Sequence, residues 1–542
     1  MCEFRRRFSV GAVALVAACV LASAAHAAWP ANPVTVANAA TLRSVLPDGA
    51  GGALFVWLPG GGDSTRVLRL LADGSAAPGW PAGGRGVTTM AYLGAAADGQ
   101  GGAYLLFTKW YWVEVGFEYA RQNEYWAFHL DASGAAAANY PLAGKLVYTD
   151  LNYRAVGGAF ATGDGQGGAY LVWTRDVLAG DHNTTMYQER VAAHLFAAGT
   201  WNLRVLGAVQ EGSAAGLAVD GGGGLRFFGG IYGDFITSRW AFHGAFSQAT
   251  LFHSYSGLVT PGLLTLAPSA DALVSWRTSP YTPPDTSTFR MVRVDSMLQL
   301  RPGWPAGGQA FAQVPFLGDG QGGAFVAADL GGPVLQRVTL ESPAPVQLWP
   351  EGSLPPWRPG TSVADGEGGV FECWTTSGVP PGSYLWATRV SSTGHYEAQW
   401  SGDGVLLSSV AQSPWQVVNV GPGTAVAAWT EQGTIVARLL ADEASTAVPP
   451  PAGALAFALR GFTANPLVGE AAVEFTLPDG APAVLDVFDV SGRRLAHREV
   501  GALGAGTHRV ALPELRAARA GLVFARLTRA GEVRTARATR LR

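Results

Sequence analysis

Short apolar runs that each follow a glycine-rich turn recur along most of the chain. Residues 48–57, DGAGGALFVW, set the pattern, and further copies begin at Asp98, Asp164, Asp220, Asp319 and Asp365. Two more copies keep the apolar run without the turn and end at Trp276 and Trp429. Successive copies lie closest together between Asp319 and Asp365 and farthest apart between Asp98 and Asp164. Self-similarity of this length indicates a repeat architecture of eight units.

Each copy predicts a β-hairpin. Glycines in Asp-Gly-x-Gly-Gly supply positive φ angles and the Asp side chain bonds to nearby backbone, so the chain reverses there. The apolar run that follows is too short for a helix and suits a buried strand. A second, alternating segment, as at 67–74 and 291–295, leads into the motif PGWPAGG at 78–84 and 302–308. Each repeat therefore supplies about four strands.

Four strands in roughly 50 residues are typical of a β-propeller blade. The fold class predicted is all-β: an eight-bladed propeller over residues 28–447, followed by a small Ig-like β-sandwich. Closing the ring removes exposed sheet edges, and the Trp that ends each hairpin is expected to pack between adjacent blades. Seven blades plus a degenerate segment is the alternative. A β-solenoid is disfavoured because its rungs would be shorter and more regular.

Composition narrows the class further. Of 542 residues, 72 are Gly and 33 are Pro, 48% are apolar and 14% are charged. So much Gly and Pro argues against a helical protein, and the apolar content rules out a disordered one. The net charge of −3 gives no footprint of nucleic-acid binding.

Residues 1–27 predict a signal peptide. Arg5 to Arg7 form a basic start, Phe8 to Ala24 are apolar or small, and Ala25-His26-Ala27 offers a cleavage site. A lipobox ending at Cys19 and a twin-Arg signal are the variants of this interpretation. After cleavage no transmembrane span is expected. Cys373 is then the single remaining cysteine and is predicted to be buried and inert.

A different region begins after Pro449-Pro450-Pro451, and the predicted linker spans 448–454. Residues 455–542 carry 13 Arg against 8 Asp plus Glu, so this segment is basic and the propeller acidic. Alternating runs at 472–478, 483–490, 507–512, 522–527 and 533–541 predict a small β-sandwich.

This C-terminal region resembles the Ig-like domains that end secreted bacterial proteins: the type IX secretion sorting domain and the related domain of flagellar hook-capping proteins. The matching segments are Asn465-Pro466, 475–478, 487–493, 504–508 and 521–527. The resemblance implies a secreted, extracellular or outer-surface protein, with this domain (455–542) contacting the secretion machinery. Leu522-Val523-Phe524 and Leu467-Val468 depart from the usual pattern and leave the choice between the two families open.

The candidate sites are few. Each Asp-Gly-x-Gly-Gly motif offers one carboxylate, whereas a calcium site needs six or more oxygens, so these motifs are interpreted as turns. No zinc-site spacing, P-loop or nucleophile elbow occurs, and no catalytic residue, metal or cofactor is predicted.

The most unusual stretch runs from Lys109 to Trp126, and its candidate ligand-binding residues are Trp110, Tyr111, Trp112, Tyr119 and Tyr125. Exposed aromatic rings there would stack on sugars or anchor a protein partner. The competing interpretation is a long hairpin whose aromatic side chains pack on their own blade.

The predicted function is therefore that of a monomeric, non-catalytic binding or surface-display protein, with a glycan or protein ligand on one propeller face. A secreted glycan hydrolase or lyase with carboxylates in the propeller channel is the first alternative. A structural spacer is the second.

Overall fold

The computed structural model describes residues 33–441 and 457–540, with gaps inside both ranges. The gaps are 63, 116–117, 153–158, 179–184, 210–215, 221–222, 232–233, 242–245, 254–257, 267–270, 280–287, 306, 312–313, 330–332, 344–345, 350–354, 357, 359, 378–382, 397–399, 401–403, 463–466, 468–470, 478–480, 502–505 and 530–531. The predicted signal peptide and the predicted linker at 448–454 both lie outside the described residues.

The described chain is almost entirely β-structure. It forms ten sheets, nine of four strands and one of three, and all strands within a sheet pair antiparallel. The described part contains no α-helix, and a short 3-10 helix occupies Pro513–Ala517. This confirms the all-β prediction.

Eight four-stranded sheets, numbered here along the chain, fill residues 34–441. Sheet 1 holds β2 (Ala40–Pro47), β3 (Ala53–Pro59), β4 (Arg66–Leu70) and β5 (Arg85–Gly86). Sheet 2 holds β6 (Ala91–Ala97), β7 (Ala103–Val115), β8 (Glu118–Leu130) and β9 (Lys145–Asn152). Sheet 3 holds β10 (Phe160–Gly163), β11 (Ala169–Leu178), β12 (Thr185–Leu195) and β13 (Trp201–Val209). Sheet 4 holds β14 (Gly216–Val219), β15 (Leu225–Ile231), β16 (Asp234–Trp240) and β17 (Phe246–His253).

The second half repeats the arrangement. Sheet 5 holds β18 (Leu258–Leu266), β19 (Asp271–Ser279), β20 (Thr288–Val294) and β21 (Gln309–Phe311). Sheet 6 holds β22 (Val314–Gly318), β23 (Gly323–Asp329), β24 (Pro333–Thr339) and β25 (Val346–Gln347). Sheet 7 holds β26 (Thr361–Ala364), β27 (Val370–Ser377), β28 (Ser383–Val390) and β29 (Val405–Ser408). Sheet 8 holds β30 (Ala411–Gly421), β31 (Thr424–Glu431), β32 (Thr434–Ala441) and, as its outer strand, β1 (Val34–Ala37).

The eight sheets follow one another around a ring. The first strand of each sheet contacts the first strand of the next, and β30 of sheet 8 contacts β2 of sheet 1. Strand β1 closes the ring. It precedes sheet 1 in the chain but pairs with β32 of sheet 8, with Val34 opposite Ala437. Successive four-stranded sheets around a ring, with the first strands innermost, are the architecture of a β-propeller.

The glycine-rich turns join the first and second strands as predicted. In sheet 1, Gly49 and Gly51 have φ angles of 77° and 87°. The Asp48 carboxylate accepts hydrogen bonds from the backbone N–H groups of Ala50 and Gly52. A Cβ atom at Gly52 would lie 2.2 Å from the carbonyl oxygen of Leu70, so only glycine fits there.

Because strands alternate in direction, each sheet has two different ends. The Asp-Gly-x-Gly-Gly turns lie at one end, which we call the turn end. The connection from the second to the third strand lies at the opposite end, which we call the hairpin end. The hydrophobic core runs between neighbouring sheets, and Trp173 illustrates it: its buried ring stacks on Tyr125 of sheet 2 at 4.6 Å between centroids.

Residues 457–540 form the two remaining sheets. One has three strands: β33 (Ala458–Phe462), β34 (Ala472–Leu477) and β37 (Gly506–Ala511). The other has four: β36 (Arg494–Glu499), β35 (Ala483–Asp489), β38 (Gly521–Arg529) and β39 (Glu532–Arg540). Strands occur in all five predicted segments, and both sheets contribute to one core that includes Phe475, Leu485 and Leu527.

Candidate functional site

The hairpin of sheet 2 extends beyond the body of the ring. Strands β7 and β8 have 13 residues each, whereas β3 and β4 of sheet 1 have 7 and 5. Their pairing is unbroken from Ala103 opposite Leu130 to Val115 opposite Glu118. The predicted aromatic stretch therefore lies on a regular, two-sided ribbon at the hairpin end.

Strand alternation assigns the side chains of this ribbon to two faces. Leu106, Tyr125 and Ala127 pack into the core shared with sheet 3. Trp110 and Trp112 follow Leu106 at even spacing on β7, so they lie on the same side as Leu106 and face sheet 3. Their cross-strand partners, Asn123 and Arg121, share this face.

Three predicted ligand-binding residues form an exposed aromatic surface on this side. Trp110, Trp112 and Tyr119 are 46%, 57% and 66% exposed. Trp110 and Trp112 meet edge to face at 6.1 Å, and the Arg121 guanidinium lies 4.3 Å from the centre of a Trp110 ring. We call Trp110, Trp112, Tyr119 and Arg121 the aromatic face. Large apolar rings are costly to expose, and a rimmed cluster of them marks an interaction surface.

The other two predicted residues lie elsewhere. Tyr111 is on the opposite side of the ribbon, where its hydroxyl donates to Glu124 at 2.8 Å and accepts from the Gln122 amide at 2.9 Å. Tyr125 is completely buried at the foot of the hairpin. Its hydroxyl donates to Asp150 on β9 at 3.3 Å. The structure thus brings together three of the five residues and separates the other two.

Polar groups line the base of the aromatic face. The Asn123 amide donates to Asp150 at 3.3 Å. Among the described residues, the Nε atom of Arg121, the Oδ1 atom of Asn123 and the Oγ1 atom of Thr108 are buried without a hydrogen-bond partner. Desolvation lowers the pKa of the Arg121 guanidinium, against the opposing charge of Asp150. This polar row was not predicted. Thr108, Arg121 and Asn123 are nevertheless each two residues from an aromatic position, which is the spacing of side chains on one face of a strand.

Sheet 3 has a charged pair on the side that faces sheet 2. Arg175 on β11 makes an ion pair of 2.6 Å with Glu189 on β12, and it also donates to the Tyr148 hydroxyl of sheet 2 at 2.8 Å. The Arg175–Tyr148 bond joins the two sheets near the stacked rings of Tyr125 and Trp173. The Arg175–Glu189 pair and the aromatic face therefore lie on the facing sides of neighbouring sheets.

The carboxylates at the turn end have a structural role. In seven of the eight sheets, the Asp that starts or precedes the second strand pairs with an Arg or His side chain on the third strand. The pairs are Asp48–Arg69, Asp98–His129, Asp164–His194, Asp220–Arg239, Asp271–Arg293, Asp319–Arg337 and Asp365–Arg389. Sheet 8 lacks the cation as well as the turn, since Leu439 stands at the equivalent position, opposite Val426.

Two of these pairs show how the carboxylate is held in its ionised form. Burial opposes ionisation of Asp98 and Asp164, yet the pKa of each is lowered. The hydrogen bond from His129 or His194, together with two backbone N–H donors, outweighs the burial. These carboxylates already have partners and are nearly inaccessible, which agrees with the interpretation of the motifs as turns. In the described part of the chain, no three His, Cys, Asp or Glu side chains cluster as a metal site requires.

The eight innermost strands carry mainly small and apolar residues, and no Asp or Glu occurs on them within their described bounds. At the turn end, a cavity of about 490 Å³ between sheets 1, 2 and 3 is lined mainly by alanines and glycines, among them Ala95, Gly99 and Gly165. The paired carboxylates that a glycoside hydrolase uses therefore do not occur within the described bounds of these strands.

Comparison with known proteins adds little beyond the fold. No protein-family model matches the sequence, and no curated protein matches it. Among solved structures, the WD40 domain of SCAP from fission yeast is 11% identical with a TM-score of 0.38, and the match covers 76% of this chain and 97% of that one.

Two peptidases are also similar. A puromycin-hydrolysing peptidase from Mycobacterium tuberculosis is 15% identical (TM-score 0.34), with 74% of this chain and 61% of that one covered. Prolyl oligopeptidase B from Galerina marginata is 10% identical (TM-score 0.35), with 73% and 56% covered. The chain thus matches about three-fifths of the length of these enzymes.

In the described residues, no helix is both long and apolar enough to cross a membrane.

Proposed function

We propose that this chain is a secreted or surface-displayed, non-catalytic binding protein. Its ring is an eight-bladed propeller, each of sheets 1–8 being one blade, and its C-terminal region is an Ig-like sorting or anchoring domain. The ligand binds at the hairpin end of sheet 2. The observation that carries the proposal is the aromatic face, with three large rings exposed on one side of a regularly paired ribbon.

The eight-blade assignment is supported by the cyclic contacts of the innermost strands and by the pairing of β1 with β32. Export is supported by the predicted signal peptide and by the resemblance of the C-terminal region to sorting domains. The two-sheet core of residues 457–540 agrees with an Ig-like sandwich.

The channel hydrolase is less well supported than the binding protein. The innermost strands, within their described bounds, supply no carboxylate pair, and the turn-end carboxylates already have Arg or His partners. The aromatic face, in contrast, has exposed rings with a donor group beside them, which is the chemistry of an adaptable binding surface.

A glycan and peptide array probed with the full chain tests this proposal. Wild type is expected to bind one class of ligand, and Trp110→Ala and Trp112→Ala are expected to lose that binding. Leu151→Ala is the matched control, because Leu151 is an exposed apolar residue of sheet 2 opposite Gln122, on the other side of the ribbon. Equal binding by wild type and both Trp variants would refute the proposed site.

A further inference from the structure

We propose that the ligand of the aromatic face is an uncharged carbohydrate, which stacks on Trp110 and Trp112 and hydrogen-bonds to the polar groups between and below them. This inference rests on the proposed function and names the ligand class.

The first argument is the composition of the ribbon around the aromatic face. On the side that faces sheet 3, Glu114 lies beside the aromatic face, and the buried Asn123 lies at its base. These polar side chains stand among the rings, whereas the core of a protein–protein interface is depleted of charged residues such as Glu. Sugars instead present flat C–H surfaces to aromatic rings and hydroxyls at the ring edge, so alternating rings and polar groups suit them.

The second argument is hydrogen-bonding capacity. The Arg121 guanidinium lies 4.3 Å from the centre of a Trp110 ring, and its Nε–H has no acceptor within the described structure. Asn123 is held by Asp150 through its amide nitrogen, which leaves its carbonyl oxygen without a donor among the described residues. Donor and acceptor capacity therefore lie next to the same ring. A hydroxyl can serve both functions, because it donates one hydrogen bond and accepts two.

The third argument is charge. On the facing sides of sheets 2 and 3, Arg121 and Arg175 are accompanied by Glu114, Asp150 and Glu189, and Arg175 is directly paired with Glu189. An acidic ligand would approach three carboxylates, and a basic ligand would meet two guanidinium groups. The near balance of charge favours a ligand that carries none.

The test is titration of the full chain with short neutral oligosaccharides of glucose, mannose, xylose and N-acetylglucosamine, with uronic-acid oligosaccharides and a random peptide library as parallel arms. We expect saturable binding of at least one neutral oligosaccharide. Trp110→Ala and Trp112→Ala should weaken it by roughly tenfold, which corresponds to the loss of one aromatic stacking contact. Trp112→Phe should retain part of the affinity, and Leu151→Ala should bind like wild type.

Arg121→Lys separates hydrogen bonding and stacking from charge. Lysine keeps the positive charge but loses the planar group and its Nε–H, so affinity for the neutral oligosaccharide should fall several-fold. Binding that is unchanged by Arg121→Lys and by both Trp→Ala substitutions would overturn the placement of the sugar.

The remaining outcomes separate this inference from the proposed function. Trp-sensitive binding confined to peptides or uronic-acid oligosaccharides would overturn the ligand class and leave the binding site standing. Absence of Trp-sensitive binding in every arm would overturn both.

Discussion

The two ends of sheet 2 differ in what their residues do. At the turn end, Asp98 is buried and bonded to His129, and the hydroxyl of Tyr104 donates to the Gly167 carbonyl of sheet 3 at 3.1 Å. At the hairpin end, Trp112 and Tyr119 are exposed and lack an equivalent in the short hairpin of sheet 1. The same motif recurs at the turn end of most sheets because each must join its neighbours. The hairpin end is free to vary because the ring does not depend on it.

Links between neighbouring sheets show why the turn end repeats. Side chains of one sheet donate to backbone carbonyls of the next: Tyr170 to Gly223 at 2.9 Å, Arg226 to Asp295 at 2.8 Å and Arg293 to Leu340 at 3.1 Å. Buried polar groups must find such partners. A substitution at the turn end should therefore affect stability, and a substitution on the aromatic face should affect binding.

The largest expected effect is at Asp365 of sheet 7. Its carboxylate is fully buried and accepts hydrogen bonds from Arg389 and from the backbone of Glu367 and Gly369. Asp365→Ala leaves a buried guanidinium without this partner, which should cost about 3–5 kcal/mol of unfolding free energy. Urea unfolding of the full chain measures this cost.

Asp365→Ala combined with Arg389→Leu is the control for the Asp365 prediction, because sheet 8 has Leu439 at the position of Arg389. The double variant should recover part of the loss. A single-variant effect below about 1 kcal/mol would contradict the structural role of the turn-end pairs.

Glu372 of sheet 7 gives the next effect, which depends on pH. Burial raises its pKa to about 8, against the smaller opposing effects of the Arg358 charge and of a backbone hydrogen bond from Arg358. The folded pKa exceeds the unfolded one, so folding is favoured with the proton bound, and stability falls as the pH rises from about 4.5 through 8.

Glu372→Gln removes this titration, so the variant should gain stability over wild type as the pH rises across that window, on the order of a few kcal/mol. Urea unfolding at pH values between about 5 and 9 measures the difference in unfolding free energy, because this range covers most of the expected titration. Glu114→Gln, which removes a carboxylate from the exposed hairpin, is the control substitution. Parallel curves for wild type and Glu372→Gln would show that Glu372 is ionised throughout.

The smallest effect on stability is expected on the aromatic face. Trp112 is more than half exposed, so Trp112→Ala should change the unfolding free energy by less than about 0.5 kcal/mol. The same substitution should cost roughly tenfold in ligand affinity. A stability loss comparable to that of Asp365→Ala would mean that the aromatic side chains stabilise the propeller and do not serve ligand binding.

The repeats made the hairpins, the turns and the ring predictable, because each is encoded within a few adjacent residues. Partners that come from distant segments were not predictable in this way. His129 lies on a different strand from the turn that holds Asp98, and the partner of the Asp is His in two sheets and Arg in five. The pairing of β1 with β32 joins the two ends of the ring-forming segment. No pattern of neighbouring residues in the sequence indicates this pairing.

The candidate site was predictable in part. Composition marked the aromatic stretch, but not which side chains share a face. Unbroken pairing of β7 and β8 places Trp110 and Trp112 on one face and Tyr111 on the other. Tyr125 is buried because Trp173 of sheet 3 covers it, a contact between two different repeats that no local pattern announces. The Asp271–Arg293 pair was also missed. The repeat that ends at Trp276 was interpreted as having lost its turn, yet it keeps the carboxylate and its Arg partner.

The most direct test of the division between the two ends is hydrogen–deuterium exchange of the full chain with and without the oligosaccharide that binds most tightly. The account predicts slower exchange in peptides covering residues 108–125 and unchanged exchange at the turns 98–102 and 164–168. Protection centred on those turns, with none in the hairpin of sheet 2, would contradict it.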